Sequence, residues 1–296
     1  MVAKIEQGNK KWIHVTDFSE KDFDFLAGYK FRSLDIESVV MPLQRSKVEI
    51  YRYYAYFVLN LPFLNSEKII KNRRVDIFIN NQVLITITKK PVKYLDDFFN
   101  RVSEASNQEK YFKHLPNLLH NILRLGSREV KDVAAEINNS LNAINKEVLQ
   151  HGPRRTFERI YLERRNIVVM LTLLKPLLGI FSQIGKSDSF FSDKDRELYD
   201  SVFDELKVVW DSVEDFREFV IGLASTSESL VSYQINNTIR LLTIFSVFLL
   251  PLTFLASLYG MNINLPFQDR PGLVFALFGG IAVLEIIIYQ RFRKRH

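Results

Sequence analysis

Residues 241–259 read LLTIFSVFLLPLTFLASLY, nineteen positions without a charge. As a helix rising about 1.5 Å per residue this stretch reaches about 28 Å, close to the thickness of a bilayer core. A second apolar stretch, Leu273 to Tyr289, is interrupted only by Glu285 and follows after thirteen residues. The two predict a transmembrane hairpin with both chain ends on one side of the membrane. The connecting loop carries only Asp269 and Arg270, whereas Arg291, Arg293, Lys294 and Arg295 crowd the end of the chain. The positive-inside rule therefore places the ends in the cytoplasm and the loop outside.

Residues 1–240 are expected in the cytosol, because the opening MVAKIEQGNKKW has no apolar core of the kind a secretory signal needs. Residues 1–98 read as an α/β domain, with β-rich runs at Trp12 to Thr16, Lys47 to Tyr51, Tyr54 to Leu59, Arg73 to Asn80 and Gln82 to Thr88. Asn80-Asn81 joins the last two as a tight hairpin turn, since Asn tolerates positive φ. Residues 99–193 read as a helical segment, and breaks at Gly126-Ser127, at Gly152-Pro153 and across Gly185 to Ser192 predict three helices there. Residues 194–240 read as a cytosolic stalk helix that continues into the first membrane helix, 241–259. Then come an outer loop over 260–272, a second membrane helix over 273–289 and a basic tail over 290–296. On the stalk, Tyr199, Val202, Leu206, Val209, Val213, Phe216, Val220 and Leu223 alternate in steps of three and four, a heptad seam that requires packing against other helices.

Composition narrows the function. With 296 residues, 47% hydrophobic and 25% charged, the chain is no disordered tail. The absence of Cys removes thiol, thiolate-zinc and iron–sulfur chemistry. The five His, at 14, 114, 120, 151 and 296, have no ligand spacing, and no P-loop, G-x-G-x-x-G or G-x-S-x-G occurs, so an enzyme is not expected. Net charge is +6, and its excess gathers near the membrane rather than over a cytosolic face, which argues against nucleic-acid binding.

The first membrane segment carries a further pattern. Asn236, Ile239, Thr243, Ser246, Leu250, Thr253, Ser257 and Gly260 recur at steps of three and four, and every Ser and Thr of the span lies on that face. Such a stripe either packs closely against another helix or lines water. A period near 3.5 implies several copies coiling about one axis, where an axial stripe becomes a pore lining. Pro251 removes one backbone hydrogen bond within the helix. Glu285, one turn inside the second segment, is expected to snorkel or to pair with a basic residue at the boundary, Arg240 first among them.

The outer end of the span, Pro251-Leu-Thr-Phe-Leu-Ala-Ser-Leu-Tyr259-Gly260-Met261-Asn262, resembles the signature P-L-T-[FL]-I-[AT]-G-[IV]-Y-G-M-N of the CorA family of divalent-cation channels. Asn236-Asn-Thr-Ile-Arg240-Leu-Leu242-Thr243 is similar to that family's N-x-x-M-K-x-L-T, and Val213-Glu-Asp-Phe216-Arg217-Glu-Phe-Val220 to its V-E-x-F-R-D-x-V. Arg45-Ser-Lys47-Val48-Glu49 is similar to its R-P-K-x-E. The resemblance implies a CorA-like funnel: an α/β cytosolic domain, long α-helices and a two-helix C-terminal hairpin in the cell membrane, assembled as a homopentamer. It implies Mg²⁺ as the transported ion, driven by membrane potential, with no catalytic cofactor. Tyr259, Gly260, Met261 and Asn262 would form the outer mouth, whose neutral amide and carbonyl oxygens hold a hydrated ion through its waters. Asn236, Thr243, Ser246, Thr253 and Ser257 would line the pore, and Ile239, Leu242 and Leu250 would constrict it.

Two positions depart from the family pattern. Where well-known members carry regulatory acids that bind intracellular Mg²⁺, this chain has Ser38 and Ser201. Glu37 and Asp200 are adjacent substitutes, although one step along a helix turns a side chain by about 100°. Weak or shifted Mg²⁺ feedback is expected. The loop Ile263-Asn264-Leu265-Pro266 is also neutral, so ion attraction at the mouth is weaker. Rival readings are a Co²⁺, Ni²⁺ or Zn²⁺ carrier of the same architecture, as in the ZntB branch, and a membrane-tethered sensor or adaptor. The adaptor leaves the hydroxyl stripe and Asn262 unexplained.

Overall fold

The computed structural model describes residues 2–151, 156–185, 190–261, 266 and 270–293. The chain forms two compact units, residues 1–226 and residues 227–296.

The first unit is built on a six-stranded sheet of β1 (Val2–Gln7), β2 (Lys10–Thr16), β3 (Lys47–Ile50), β4 (Tyr54–Leu64), β5 (Ile70–Asn80) and β6 (Val83–Thr88). Their order is β1-β2-β6-β5-β4-β3, with β2 and β6 parallel and all other neighbours antiparallel. The alternation along β4 explains the layers. Tyr54, Tyr56 and Val58 face a core shared with Phe18, Leu26, Phe31, Ile36 and Val39, supplied largely by the short helices α1 (Phe23–Ala27) and α2 (Ser33–Val40). Ala55, Phe57 and Leu59 are buried on the opposite face. There α3 (Lys93–Ser103), α4 (Ala105–Phe112), α5 (Leu115–His151) and α6 (Phe157–Gly185) follow in sequence. Trp12 packs edge-on against Phe99 at 4.9 Å and tilted against Phe98 at 5.5 Å.

The Asn80-Asn81 hairpin forms as its sequence predicts, with the Asn80 carboxamide oxygen accepting from the Gln82 and Val83 amides at 2.8 and 2.7 Å. β1 is not legible in the sequence: it is an edge strand in which only Ile5 is buried, so it lacks apolar alternation. Gly8, at φ 58°, supplies the turn into β2.

The expected helix break at Gly126-Ser127 does not occur, for α5 continues through both residues. Gly126 is there for close packing instead: a Cβ would meet Leu61 Cδ1 at 3.2 Å. Ser127 Oγ donates within the helix to the Arg124 carbonyl at 2.9 Å and lies 3.0 Å from Glu205 Oε2 on the next long helix, α7 (Asp193–Tyr259). The chain is instead interrupted between α3 and α4 at Glu104, and between α4 and α5 at Lys113 and His114. Among the described residues, four helices rather than three therefore lie between β6 and α7. The Gly152-Pro153 break lies outside the described residues.

Helix α6 is long and apolar enough by composition to cross a membrane, yet it belongs to the soluble core. Asn166 fastens it to the sheet, accepting from the Ile70 amide at 3.0 Å and donating to the Lys68 carbonyl at 2.9 Å. Ser140 of α5 donates to its Glu163 at 2.5 Å.

Helix α7 is continuous over 67 residues. It starts with a capping box, in which Asp195 accepts from the Ser192 amide and hydroxyl at 3.0 and 2.6 Å. The predicted seam is satisfied within the chain: Tyr199, Val202, Leu206, Val209, Val213, Val220 and Leu223 are buried and Phe216 is half-buried. Tyr199 donates to the Pro116 carbonyl of α5 at 2.8 Å.

Two buried histidines set a pH response. Burial pushes the His14 imidazole below its usual pKa, against the opposing effect of its hydrogen bond to the Asp96 carboxylate, and burial followed by Arg124 does the same for His120. Each binds its proton less readily folded than unfolded. Stability is therefore present above the unfolded value of about 6.5 and is lost as pH falls below it. The full-length protein is expected to show a falling Tm from pH 7 to pH 5, the loss of stability being at most about 1.4 kcal/mol per pH unit for each group. His120→Gln should flatten that slope; an unchanged slope would show His120 uninvolved.

Candidate ion pathway

The second unit contains the end of α7 and α8 (Pro271–Arg293), in whose apolar stretches no residue is fully buried within the chain. The two helices pack side by side, and the Phe248 and Tyr289 rings lie 6.0 Å apart. On α7, Ile244, Phe248, Pro251, Leu252, Leu255, Leu258 and Tyr259 are half-buried; on α8, Val274, Phe278, Ile281, Ala282 and Glu285 are. These are the contacting faces of an antiparallel pair. The sequence hides this second stripe because its residues are as apolar as the lipid-facing ones.

The polar stripe lies elsewhere on α7. Asn236, Ile239, Leu242, Thr243, Ser246, Leu250, Thr253 and Ser257 are all exposed, turned away from α8, with Leu250 68% and Leu242 67% exposed. Successive residues step by about 100°, so the stripe through Ser246, Leu250 and Thr253 sits on the side of the helix opposite Phe248 and Leu255. The hydroxyls of Thr243, Ser246 and Thr253 donate back to the carbonyls of Ile239, Leu242 and Leu249 at 2.9, 2.9 and 2.7 Å. Each hydroxyl has thereby used its proton, and its oxygen remains an acceptor suited to a donor such as the water of a hydrated cation.

At its C-terminal end α7 tightens. The Gly260 amide donates to the Ala256 and Ser257 carbonyls at 3.0 and 3.2 Å, and the Met261 amide to Leu258 at 3.2 Å. A Cβ at Gly260 would approach the Ala256 oxygen to 3.2 Å. Tyr259 donates its phenolic hydroxyl to the Pro266 carbonyl at 3.0 Å, tying that residue to the helix end. Asn262, Ile263, Asn264 and Leu265 lie outside the described residues.

Glu285 does not pair with Arg240. Both its carboxyl oxygens are buried without a hydrogen-bond partner. With Phe248 level with Tyr289, Glu285 lies about 6 Å from that level toward the Gly260 end of the pair and Arg240 about 12 Å in the opposite direction, so about 18 Å of helix axis separates them.

In the first unit, Glu37 on α2 and Asp200 on α7 are exposed, and among the described residues no group of three or more acidic or His side chains could hold a metal. Ser38, by contrast, is buried, with its Oγ 2.9 Å from Tyr56 Oη. Tyr56 donates to Asp76 at 2.7 Å, and Arg74 spans Asp76 at 2.7 Å, the Ser38 carbonyl at 2.8 Å and the Met41 carbonyl at 2.6 Å. Burial pushes the Asp76 carboxyl up against the opposing pull of Arg74. This network closes the C-terminal end of α2 and occupies Ser38 structurally. Ser201 donates back to the Leu198 carbonyl at 2.7 Å.

Comparison with known proteins gives one family over nearly the whole chain: residues 8–294 match the family described as CorA-like Mg²⁺ transporter protein. The cobalt/magnesium transport protein CorA of Thermotoga maritima is 25% identical over 296 residues, covering 95% of this chain and 82% of that protein. Among solved structures, the CorA magnesium transporter of Methanocaldococcus jannaschii superposes with a TM-score of 0.82 at 20% identity, over 97% of this chain and 92% of that one. The full-length CmaX protein superposes with a TM-score of 0.76 at 18% identity, over 96% and 88% of the two chains.

Proposed function

The chain belongs to the CorA-like Mg²⁺ transporter family, whose members move divalent cations across membranes and are not enzymes, and from that premise we propose that it is a homopentameric channel for hydrated Mg²⁺. Five α7 helices surround the pore in this reading, with both chain ends in the cytoplasm and the Gly260-Met261-Asn262 loops at the outer mouth of a cell-membrane channel. The observation that carries it is the exposed face of Thr243, Ser246, Thr253 and Ser257 on the side of α7 away from α8. Lipid offers hydroxyl oxygens nothing to accept from, whereas the waters around Mg²⁺ do.

The polar rungs alternate with Ile239, Leu242 and Leu250, which close the pore by dewetting when the helices approach. Entry needs no nucleotide motor. A divalent ion crossing an inside-negative potential gains about 4.6 kcal/mol per 100 mV.

Feedback by cytosolic Mg²⁺ is weak in this reading, since Ser38 is engaged by Tyr56, and Glu37 and Asp200 stand one step of about 100° away from Ser38 and Ser201 on their helices. Steep closure by millimolar Mg²⁺ that vanished in Asp200→Ala would overturn that part.

A Co²⁺ carrier is the second reading, favoured by the name of the Thermotoga relative. The test is uptake by liposomes holding the purified protein, with Mg²⁺, Co²⁺, Ni²⁺ and Zn²⁺ offered separately. Mg²⁺ entry that rises with the imposed potential and stops when it is collapsed is the expected result. Entry confined to one of the other ions would move the assignment to that ion, and entry indifferent to potential would overturn passive conduction.

A further inference from the structure

The Arg45-Ser46-Lys47 segment borders a cavity of about 350 Å³ between the loop before β3, strands β4 and β5, and the middle of α6. Its lining includes two cations, Arg45 and Lys175, and no carboxylate. Neither cation has an ion-pair partner among the described residues. A nearby cavity has the opposite character, with Glu136 and Glu163 beside Lys68.

The loop that carries Arg45 is held in place from beneath. Buried Asn60 donates its side-chain amide to the Gln44 carbonyl at 2.8 Å and accepts from Asn72 at 3.2 Å, while its backbone amide donates to Ser46 Oγ at 2.9 Å. Gln44 and Ser46 are therefore fixed on either side of Arg45, which reduces the ordering cost of engaging a ligand there. Across the cavity, Pro176 lies within α6 and has no amide hydrogen, so the carbonyl of Thr172 lacks its usual donor from position 176. That wall thus offers an acceptor, and Leu173 and Pro176 offer apolar surface.

We infer that this cavity is a binding site for a small organic phosphate. A guanidinium fork grips two phosphate oxygens at once and an ammonium adds a point charge, while the apolar wall and the Thr172 carbonyl accommodate an organic body with donor groups. The volume falls at the small end of ligand pockets, enough for a nucleoside monophosphate or a sugar phosphate and more than inorganic phosphate fills. Nothing in the transport reading requires this site, and its test does not depend on transport.

The probe is AMP, titrated calorimetrically into the full-length protein in detergent, with adenosine and inorganic phosphate run alongside. Expected is binding of one AMP per chain, at least about tenfold tighter than either fragment, with Kd rising about tenfold or more in Arg45→Gln and in Lys175→Gln. Unchanged Tm in both variants would show that the loss is of ligand contacts and not of fold. No heat from AMP or from glucose 6-phosphate would overturn the site. So would AMP binding indifferent to both substitutions, and inorganic phosphate binding as tightly as AMP would overturn its organic character.

Discussion

Asn262→Ala is expected to lower potential-driven Mg²⁺ uptake by on the order of 100-fold or more while leaving the oligomer intact. The proposed mouth holds the ion through its waters, and each water proton needs an acceptor. The Asn262 amide oxygens would be the ring of neutral acceptors there, and alanine offers none. A hydrogen bond contributes about 0.5–1.5 kcal/mol net, so losing a ring of several is enough to weaken the site by on the order of 100-fold. Liposome uptake, with size-exclusion chromatography to confirm assembly, checks this. Uptake within about twofold of the parent would sink the assignment of the mouth to this residue. Asn262→Gln keeps the amide and is expected to retain part of the flux.

The second large effect concerns which face of α7 meets the ion. Ser246→Trp places a bulky indole on the exposed hydroxyl stripe and is expected to cut uptake by about tenfold or more. Phe245→Trp, one step of about 100° away, changes an already aromatic, 65% exposed position off that stripe and is expected to keep uptake within about twofold. The contrast separates a pore from a tethered adaptor, which would tolerate both. Equal loss in the two variants, with assembly preserved, would mean that the stripe does not line the pathway.

These expectations draw unequally on sequence and structure. The membrane hairpin, the hydroxyl stripe and the Gly260-Met261-Asn262 signature are legible because each is a local pattern: an uncharged run of bilayer length, a period of three and four, a string of adjacent letters. The hairpin turn at Asn80-Asn81 is legible for the same reason, since the Asn80 side chain bonds amides two and three residues on. The capping box at Ser192 and Asp195, equally local, prepares α7 for its uninterrupted course.

Elsewhere the sequence misleads where a residue's role depends on something distant. Gly126 reads as a breaker, yet it is a helix residue made small by Leu61, sixty-five positions earlier in the chain. Ser38 reads as an empty regulatory position; the structure fills it with Tyr56, and Arg74 caps its carbonyl. Arg240 is the natural partner for Glu285 on paper, and only the register of α7 against α8, set by Phe248 and Tyr289, separates them. Helix α6 passes a hydropathy criterion for crossing a membrane but is anchored to the sheet through Asn166. By itself, then, the sequence determined the pair of apolar C-terminal helices, the polar face of the first of them and the family, because hydropathy and periodicity act between near neighbours. Only the tertiary structure decided which small residues break helices and which admit a neighbour, which polar groups find partners, and that Arg45 and Lys175 line one cavity, because those outcomes are set by contacts between residues far apart in the chain.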